Sequence, residues 1–259
     1  MHQAELAQAL AESDPAAKCR RVDALWGSAS DNPIALEQSD PPPAGRPQRP
    51  ELVSPASLPR RGLGSVQGRI ALLHAVAHIE FNAINLALDA VARFAGMPEA
   101  FYRDWLSVAY DEARHFRLLE TRLGELGAAY GDLPAHNGLW EMAEKTAHDP
   151  LVRMALVPRV LEARGLDVTP GMIEKLRQAG DEDSVACLEI ILDEEVRHVA
   201  IGSRWFRHLC DQRELEPEAT FRSLLGEYFA GGLRGPFNHP ARLQAGFTES
   251  ELKELELAS

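Results

Sequence analysis

The sequence predicts an all-α fold built on four long helices. Apolar residues recur at three- and four-residue spacing through residues 66–95, 98–127 and 182–211, the period of a helix with one buried face. Glycine and proline fall between these stretches, at Gly96, Pro98, Gly127, Pro150 and Pro217, where helices are expected to stop and restart. No segment reads convincingly as a strand, so the class is all-α.

Taken in order, the chain opens with a short amphipathic helix near residues 3–12. Asp40-Pro41-Pro42-Pro43-Ala44-Gly45-Arg46-Pro47 is too proline-rich for a helix or a central strand. The rest of residues 13–65 reads as extended chain, either disordered or strapped across the domain; apolar Leu52, Val53, Leu58 and Leu63 favour the strap. The first long helix, 66–95, has no internal proline. Gly127 closes the second, and a loop around 131–138 leads to a short helix near 139–148. A third segment runs from Pro150 to about Arg164, with Pro158 expected to kink it. Thr169-Pro170 reads as an N-cap and first helical residue, opening a helix over 170–180. The fourth long helix is 182–211. Pro217 opens another that ends near Gly231-Gly232, and after Gly235-Pro236-Phe237-Asn238-His239-Pro240 a short acidic helix closes the chain. The expected organisation is therefore an N-terminal helix and strap (1–65), a four-helix bundle (66–212), and C-terminal helices and loop packed on the bundle (213–259).

Composition narrows the function. The 259 residues are 45% hydrophobic, enough for a sizeable core. A formal charge of -12 argues against nucleic-acid binding through a broad basic face. Cys19, Cys187 and Cys210 form no Cys-x-x-Cys pair, which excludes a zinc ribbon or a rubredoxin-type iron site and suggests no disulfide framework. The first residues do not read as a secretory leader, and no stretch reads as long and apolar enough to span a membrane. A reducing cytoplasm is the expected location.

Two segments carry the chemistry: Asp111-Glu112-Ala113-Arg114-His115 and Glu194-Glu195-Val196-Arg197-His198. Each places a Glu-x-x-His pair inside a long helix, where positions i and i+3 share a face and can reach one metal ion. One such pair arises readily by chance; two with matched neighbours are far more specific. Dimetal carboxylate centres in helix bundles need one further Glu from each of two other helices. Glu80 and Glu162 meet that demand, lying 32 residues before Glu112 and 33 before Glu195 respectively. Glu80 sits among Val76, Ala77, Ala83, Ile84 and Ala87, and an ionised carboxylate on such a stripe is costly unless paired or metal-bound. The competing reading is a buried salt bridge with Arg114 or Arg197, but four carboxylates and two imidazoles are hard to satisfy by pairing alone.

The order Glu, Glu-x-x-His, Glu, Glu-x-x-His resembles the ferritin-like superfamily of di-iron and di-manganese proteins. The phrases Ala77-His78-Ile79-Glu80-Phe81 and Glu162-Ala163-Arg164-Gly165-Leu166-Asp167 resemble a narrower bacterial group, domain of unknown function 455, over most of residues 45–245. The resemblance implies a ferritin-like four-helix bundle with two metal ions, iron or manganese. Glu112 and Glu195 would bridge or cap the metals, Glu80 and Glu162 would be terminal carboxylates, and His115 and His198 would each bind through one ring nitrogen. The other nitrogen needs an oriented acceptor: Asp111 and Glu194, or Asp193 in place of Glu194, are candidates, paired with Arg114 and Arg197.

Other residues read as structural. His74 and His78 lie about 120° and about 160° round the helix from Glu80, which suits core hydrogen bonds better than ligation. Glu141, Glu144 and His148 suggest a helical pair or cap, and His239 a turn. Trp105, Tyr110 and Cys187 are read as packing.

Carboxylate-rich ligation with two imidazoles suits iron(II) or manganese(II). The leading expectation is an oxidoreductase that activates dioxygen to hydroxylate or oxidise a small organic substrate, with an electron donor, as a monomer or small homo-oligomer. The N-terminal strap and C-terminal helices add walls for a substrate. Superfamily members that hydroxylate a tRNA base exist, but the acidic charge makes such a substrate less attractive. Alternatives are a ferroxidase, a peroxide-removing enzyme and a non-catalytic helical module.

Overall fold

The computed structural model describes residues 3–31, 34, 36, 40–58, 62–229 and 232–257. Among these the regular elements are all helical, and the nearest approach to a strand is an isolated parallel bridge between Leu52 and Ala135. In chain order they are α1 (Gln3–Ala11), α2 (Pro15–Asp31), a 3₁₀ turn (Pro55–Ser57), α3 (Val66–Arg93), α4 (Glu99–Glu125), α5 (Gly138–Lys145), α6 (Pro150–Leu156), a π-helical turn (Val157–Glu162), α7 (Ala163–Gln178), α8 (Glu182–Gln212), α9 (Pro217–Tyr228), α10 (His239–Gln244) and α11 (Glu249–Leu257). They divide into two compact units, Met1–Glu141 with Leu176–Cys187, and Met142–Lys175 with Leu188–Ser259.

In the first unit α3 packs along α4, α2 along α4, and α1 against α2 and α3. Ser65 caps α3, its hydroxyl accepting the Gly68 N–H at 3.1 Å, which satisfies one orphan donor of the first turn. At the far end of α4, Gly127 takes φ 79° and the Ala128 N–H reaches back to the Leu123 carbonyl at 2.9 Å, so the chain turns out of the helix in a Schellman-type cap.

Two expectations for this unit change. The extended reading of residues 13–65 misses α2. Asp14 accepts the Ala17 N–H at 2.7 Å and Pro15 occupies the first helical position, both good starts for a helix. Cys19, Val22, Leu25 and Ala29 are buried along it, at helical spacing. Residues 40–54 do run without helix, held by backbone bonds from Ala135 N–H to Glu51 O (2.9 Å) and from Val53 N–H to Ala135 O (2.8 Å). Residues 32–33, 35, 37–39 and 59–61, also read as extended, lie outside the described residues. The second change concerns α3, which is long and apolar enough, by length and composition, to cross a membrane. Most of that apolar stretch is covered by the protein itself. The helix also buries His74, His78, Glu80, Asn82, Asn85 and Asp89, polar groups that need partners inside a protein.

The second unit differs most from its sequence reading around its prolines. Asp149 caps α6 through the Leu151 N–H at 2.8 Å. At Pro158 the helix is not simply kinked: it widens into the π-helical turn, where the Ala163 N–H reaches five residues back to the Pro158 carbonyl. Helix α7 then runs straight through Pro170 instead of starting there. Proline has no N–H for the carbonyl four residues earlier. That carbonyl, of Leu166, accepts instead from the Asn238 side-chain amide at 3.0 Å. Pro217 opens α9 as expected, with the Glu216 carboxylate accepting from Glu218 N–H and Ala219 N–H. The expected end of this helix near residue 231 falls partly outside the described residues; α9 itself ends at Tyr228. In the core, Arg159 donates to Glu251 at 2.5 Å and lies over the rings of Phe206, Phe221 and Phe247 at 4.8, 4.2 and 4.6 Å, so its charge is met by a carboxylate and three π faces.

Candidate metal centre

In the first unit α3 supplies Glu80 and α4 supplies Glu112 and His115. All three are buried, and their ligand atoms lie within 4.8 Å of one another. His115 Nδ1 is 3.1 Å from Glu80 Oε2 and 3.5 Å from Glu112 Oε2. The i, i+3 spacing on α4 puts Glu112 and His115 on one face, and the packing of α3 on α4 brings Glu80 to them. Phe81 and Phe116, the residues after Glu80 and His115, meet at 5.7 Å, and both rings contact Tyr130 at 5.8 and 5.0 Å.

The electrostatics are those of crowded donors. Burial, then the neighbouring charge of Glu112, pushes the Glu80 carboxyl up to about 8. Burial pulls His115 down, but hydrogen bonds and charge from Glu112 and Glu80 outweigh it and hold its proton up to about 11. Two carboxylates forced together out of water resist joint ionisation, and a proton on His115 supplies the positive charge. A cation at the same place would replace those protons. Oxygen and imidazole donors without sulfur suit iron(II) or manganese(II), so this half of the expected ligand set fits such an ion. Beside it, Asp111 faces Arg114 on the same helix at 3.6 Å, the pairing expected from the sequence.

In the second unit α8 supplies Glu195 and His198, whose Oε1 and Nδ1 are 3.3 Å apart. His198 is fully buried and the Glu195 side chain is 12% exposed. Glu162, the last residue of the π-helical turn, is buried. Of the neighbours expected to support this half, Glu194 is half-buried while Asp193 and Arg197 are exposed.

The phrase that follows Glu162 has a separate job. Asp167 accepts from Arg242 at 2.9 and 2.7 Å and from the Asn238 N–H at 2.9 Å. Arg164 donates to the carbonyls of Arg234 and Pro236 at 2.9 and 3.1 Å. These bonds brace the C-terminal segment against the helix that continues from Glu162.

A family model described as a protein of unknown function (DUF455) matches residues 11–253. The chain belongs to this family. An uncharacterized protein of Haemophilus influenzae is 46% identical over 258 residues, covering 94% of this chain and 90% of the relative. No solved structure matches.

In this DUF455 chain the two α3 histidines set aside on sequence grounds have core partners. His74 Nε2 accepts the Gly131 N–H at 2.9 Å, and His78 bonds the Tyr130 hydroxyl at 2.9 Å and the Asn82 amide at 3.1 Å. His239 pairs with Glu256 at 2.8 Å, and His148 meets the Lys145 carbonyl at 3.1 Å. Tyr110 stacks on Trp26, 6.1 Å away, while Trp105 and Cys187 are buried. A cavity without a sequence signature is bounded by residues 46–52. It measures about 410 Å³ and is lined by Arg46, Glu51, His78, Phe81 and Tyr130 among others. A second cavity, of about 650 Å³, lies in the other unit between α9 and α11, with Phe221, Leu225, Phe229 and Leu255 in its walls. No periodicity marks the first, because its wall is an irregular strap.

Proposed function

We propose that this protein is a dimetal-carboxylate oxidoreductase of ferritin-like type. Glu80, Glu112, His115, Glu162, Glu195 and His198 hold two iron or manganese ions, used to activate dioxygen for the hydroxylation or oxidation of a small organic substrate. The observation that carries the reading is the buried cluster of Glu80, Glu112 and His115, acceptor groups crowded within 4.8 Å. The sequence repeats that donor set with Glu162, Glu195 and His198.

When bound, the two ions would supply the one-electron chemistry that dioxygen needs, with the electron donor restoring their reduced state. The chain's own part is to hold them and to manage protons. Glu80 gives up its proton to become a ligand, and His115 must do the same to offer a lone pair. Asp111 and Arg114 form a charged pair beside Glu112, and Glu194 and Arg197 hold the matching sequence positions beside Glu195. Phe81, Phe116 and Tyr130 keep water from one side of the first half. The cavity beside Phe81 and Tyr130, with a guanidinium and a carboxylate in its wall, has the size of a small-molecule site. An electron donor, a cytoplasmic location and a monomeric or small oligomeric state complete the reading.

Elemental analysis of the purified chain tests it. About two iron atoms per chain, with a ferric band when iron(II) and air are added, support the dioxygen reading. About two manganese atoms direct the search to peroxide. A cage-sized particle on gel filtration favours iron storage. Near-zero metal after anaerobic reconstitution sinks the centre and leaves a helical module.

A further inference from the structure

On α8, Gly202 lies one turn beyond His198 and two turns beyond Glu195, so the three share a face. Pro158 lies one turn before Glu162, inside the π-helical turn. The two meet: a Cβ built on Gly202 would collide with Cβ and Cγ of Pro158, and even the Pro158 Cα is 3.7 Å away. The proline ring is fixed to its own backbone and cannot swing aside. Any side chain at 202 therefore pushes the two helices apart, by about 1 Å for a single methyl to regain ordinary contact.

We infer that Gly202 is a positioning residue: its bare Cα seats the Pro158 ring and so sets how closely the turn carrying Glu162 approaches the helix carrying Glu195 and His198. The inference rests on the dimetal reading for its consequence, though not for the contact itself. Two features support it. A π-helical turn inserts one extra residue and survives only where neighbours favour it, frequently at functional sites. And a metal ligand set tolerates little slack, since bond lengths hold within about 0.2 Å.

The test uses the full-length chain with Gly202→Ala, and Gly226→Ala as control, because a Cβ at Gly226 meets nothing within 4 Å. Iron(II) bound at saturation is counted by elemental analysis, with far-UV circular dichroism confirming the fold. Gly202→Ala is expected to fall from two ions per chain to one or fewer, while Gly226→Ala keeps both. Adding Pro158→Gly to Gly202→Ala removes the colliding atoms and is expected to recover binding. Full loading of the folded Gly202→Ala chain overturns the inference. If Gly202→Ala is insoluble, the double variant decides: recovery of soluble, iron-binding protein supports the contact, and equal insolubility overturns it. Amide hydrogen exchange of the metal-free chains over residues 157–163 separates the two ideas. A wild type that takes up no metal sinks the dimetal reading, yet faster exchange in Gly202→Ala alone still upholds the Gly202 contact, and unchanged exchange then overturns it.

Discussion

The two halves of the proposed centre look like copies in the sequence and are built differently. The first stands on α3 and α4, two uninterrupted helices of 28 and 27 residues, and its ligands meet because those helices pack along each other. The second takes Glu162 from a π-helical turn at a proline, within a segment that has a further proline in α7. It depends on braces from the C-terminal segment: Asn238 on the Leu166 carbonyl, Arg242 on Asp167, and Glu251 on Arg159. An identical donor pattern does not require an identical backbone. Where the helix is irregular, tertiary contacts must supply what periodic hydrogen bonding supplies elsewhere.

The sharpest way to break the comparison is to remove one ligand from each half. Glu112→Ala and His198→Ala are both expected to lose metal and to abolish any oxygen consumption, measured by elemental analysis and an oxygen electrode. Unchanged stoichiometry in both would end the ligand assignment. A second experiment follows protons. Because Glu80 holds its proton up to about 8 and His115 up to about 11, loading at neutral pH must displace protons from the first half. Metal affinity should therefore rise with pH between 6 and 8, by about tenfold per unit for each proton released. Proton release measured with an indicator dye in weak buffer checks this, and pH-independent binding would contradict it.

A third prediction concerns the interior of the first unit. Lys18 is buried, bonded to Asn85 and to the Ala9 and Leu10 carbonyls at 2.6, 3.1 and 2.8 Å, and burial lowers its pKa from 10.5 to about 7. Between these values the unfolded chain binds the proton and the folded chain does not, so stability rises with pH. The slope is at most about 1.4 kcal/mol per unit from this group, and below pH 7 the group adds no slope. Urea unfolding of the metal-free chain at pH 7, 8 and 9 is expected to show the rise, and Lys18→Met to flatten it. The smallest effect belongs to the braces of the second half. Asn238→Ala strips the cap of α10 and leaves the Leu166 carbonyl without its amide partner, a loss of about 1–2 kcal/mol, read by the same unfolding assay. An equal loss at an exposed control site would mean that the brace has no special role.

The all-α class and most long-helix limits were legible because amphipathic periodicity over 25 or more residues is hard to imitate. Glu80, Glu112 and His115 were legible for a related reason: the i, i+3 rule puts two of them on one face, and an acid in an apolar stripe demands a partner. Helix α2 was not, because its buried face is made of few and mostly small residues, Cys19, Val22, Leu25 and Ala29, and takes in the charged Lys18. Nor was the membrane-like length of α3, because His74, His78, Glu80, Asn82, Asn85 and Asp89 are spread along its apolar stretch.

By itself, then, the sequence determined the helical class, the doubled donor pattern and the burial of the first three donors, since local periodicity and the cost of a buried charge act over a few turns of chain. Only the tertiary structure decided that the helix widens into a π-helical turn at Pro158 and that α7 passes through Pro170. Both places are met from far along the chain, by Gly202 against the Pro158 ring and by Asn238 on the Leu166 carbonyl, contacts whose energy exists only once the chain has folded.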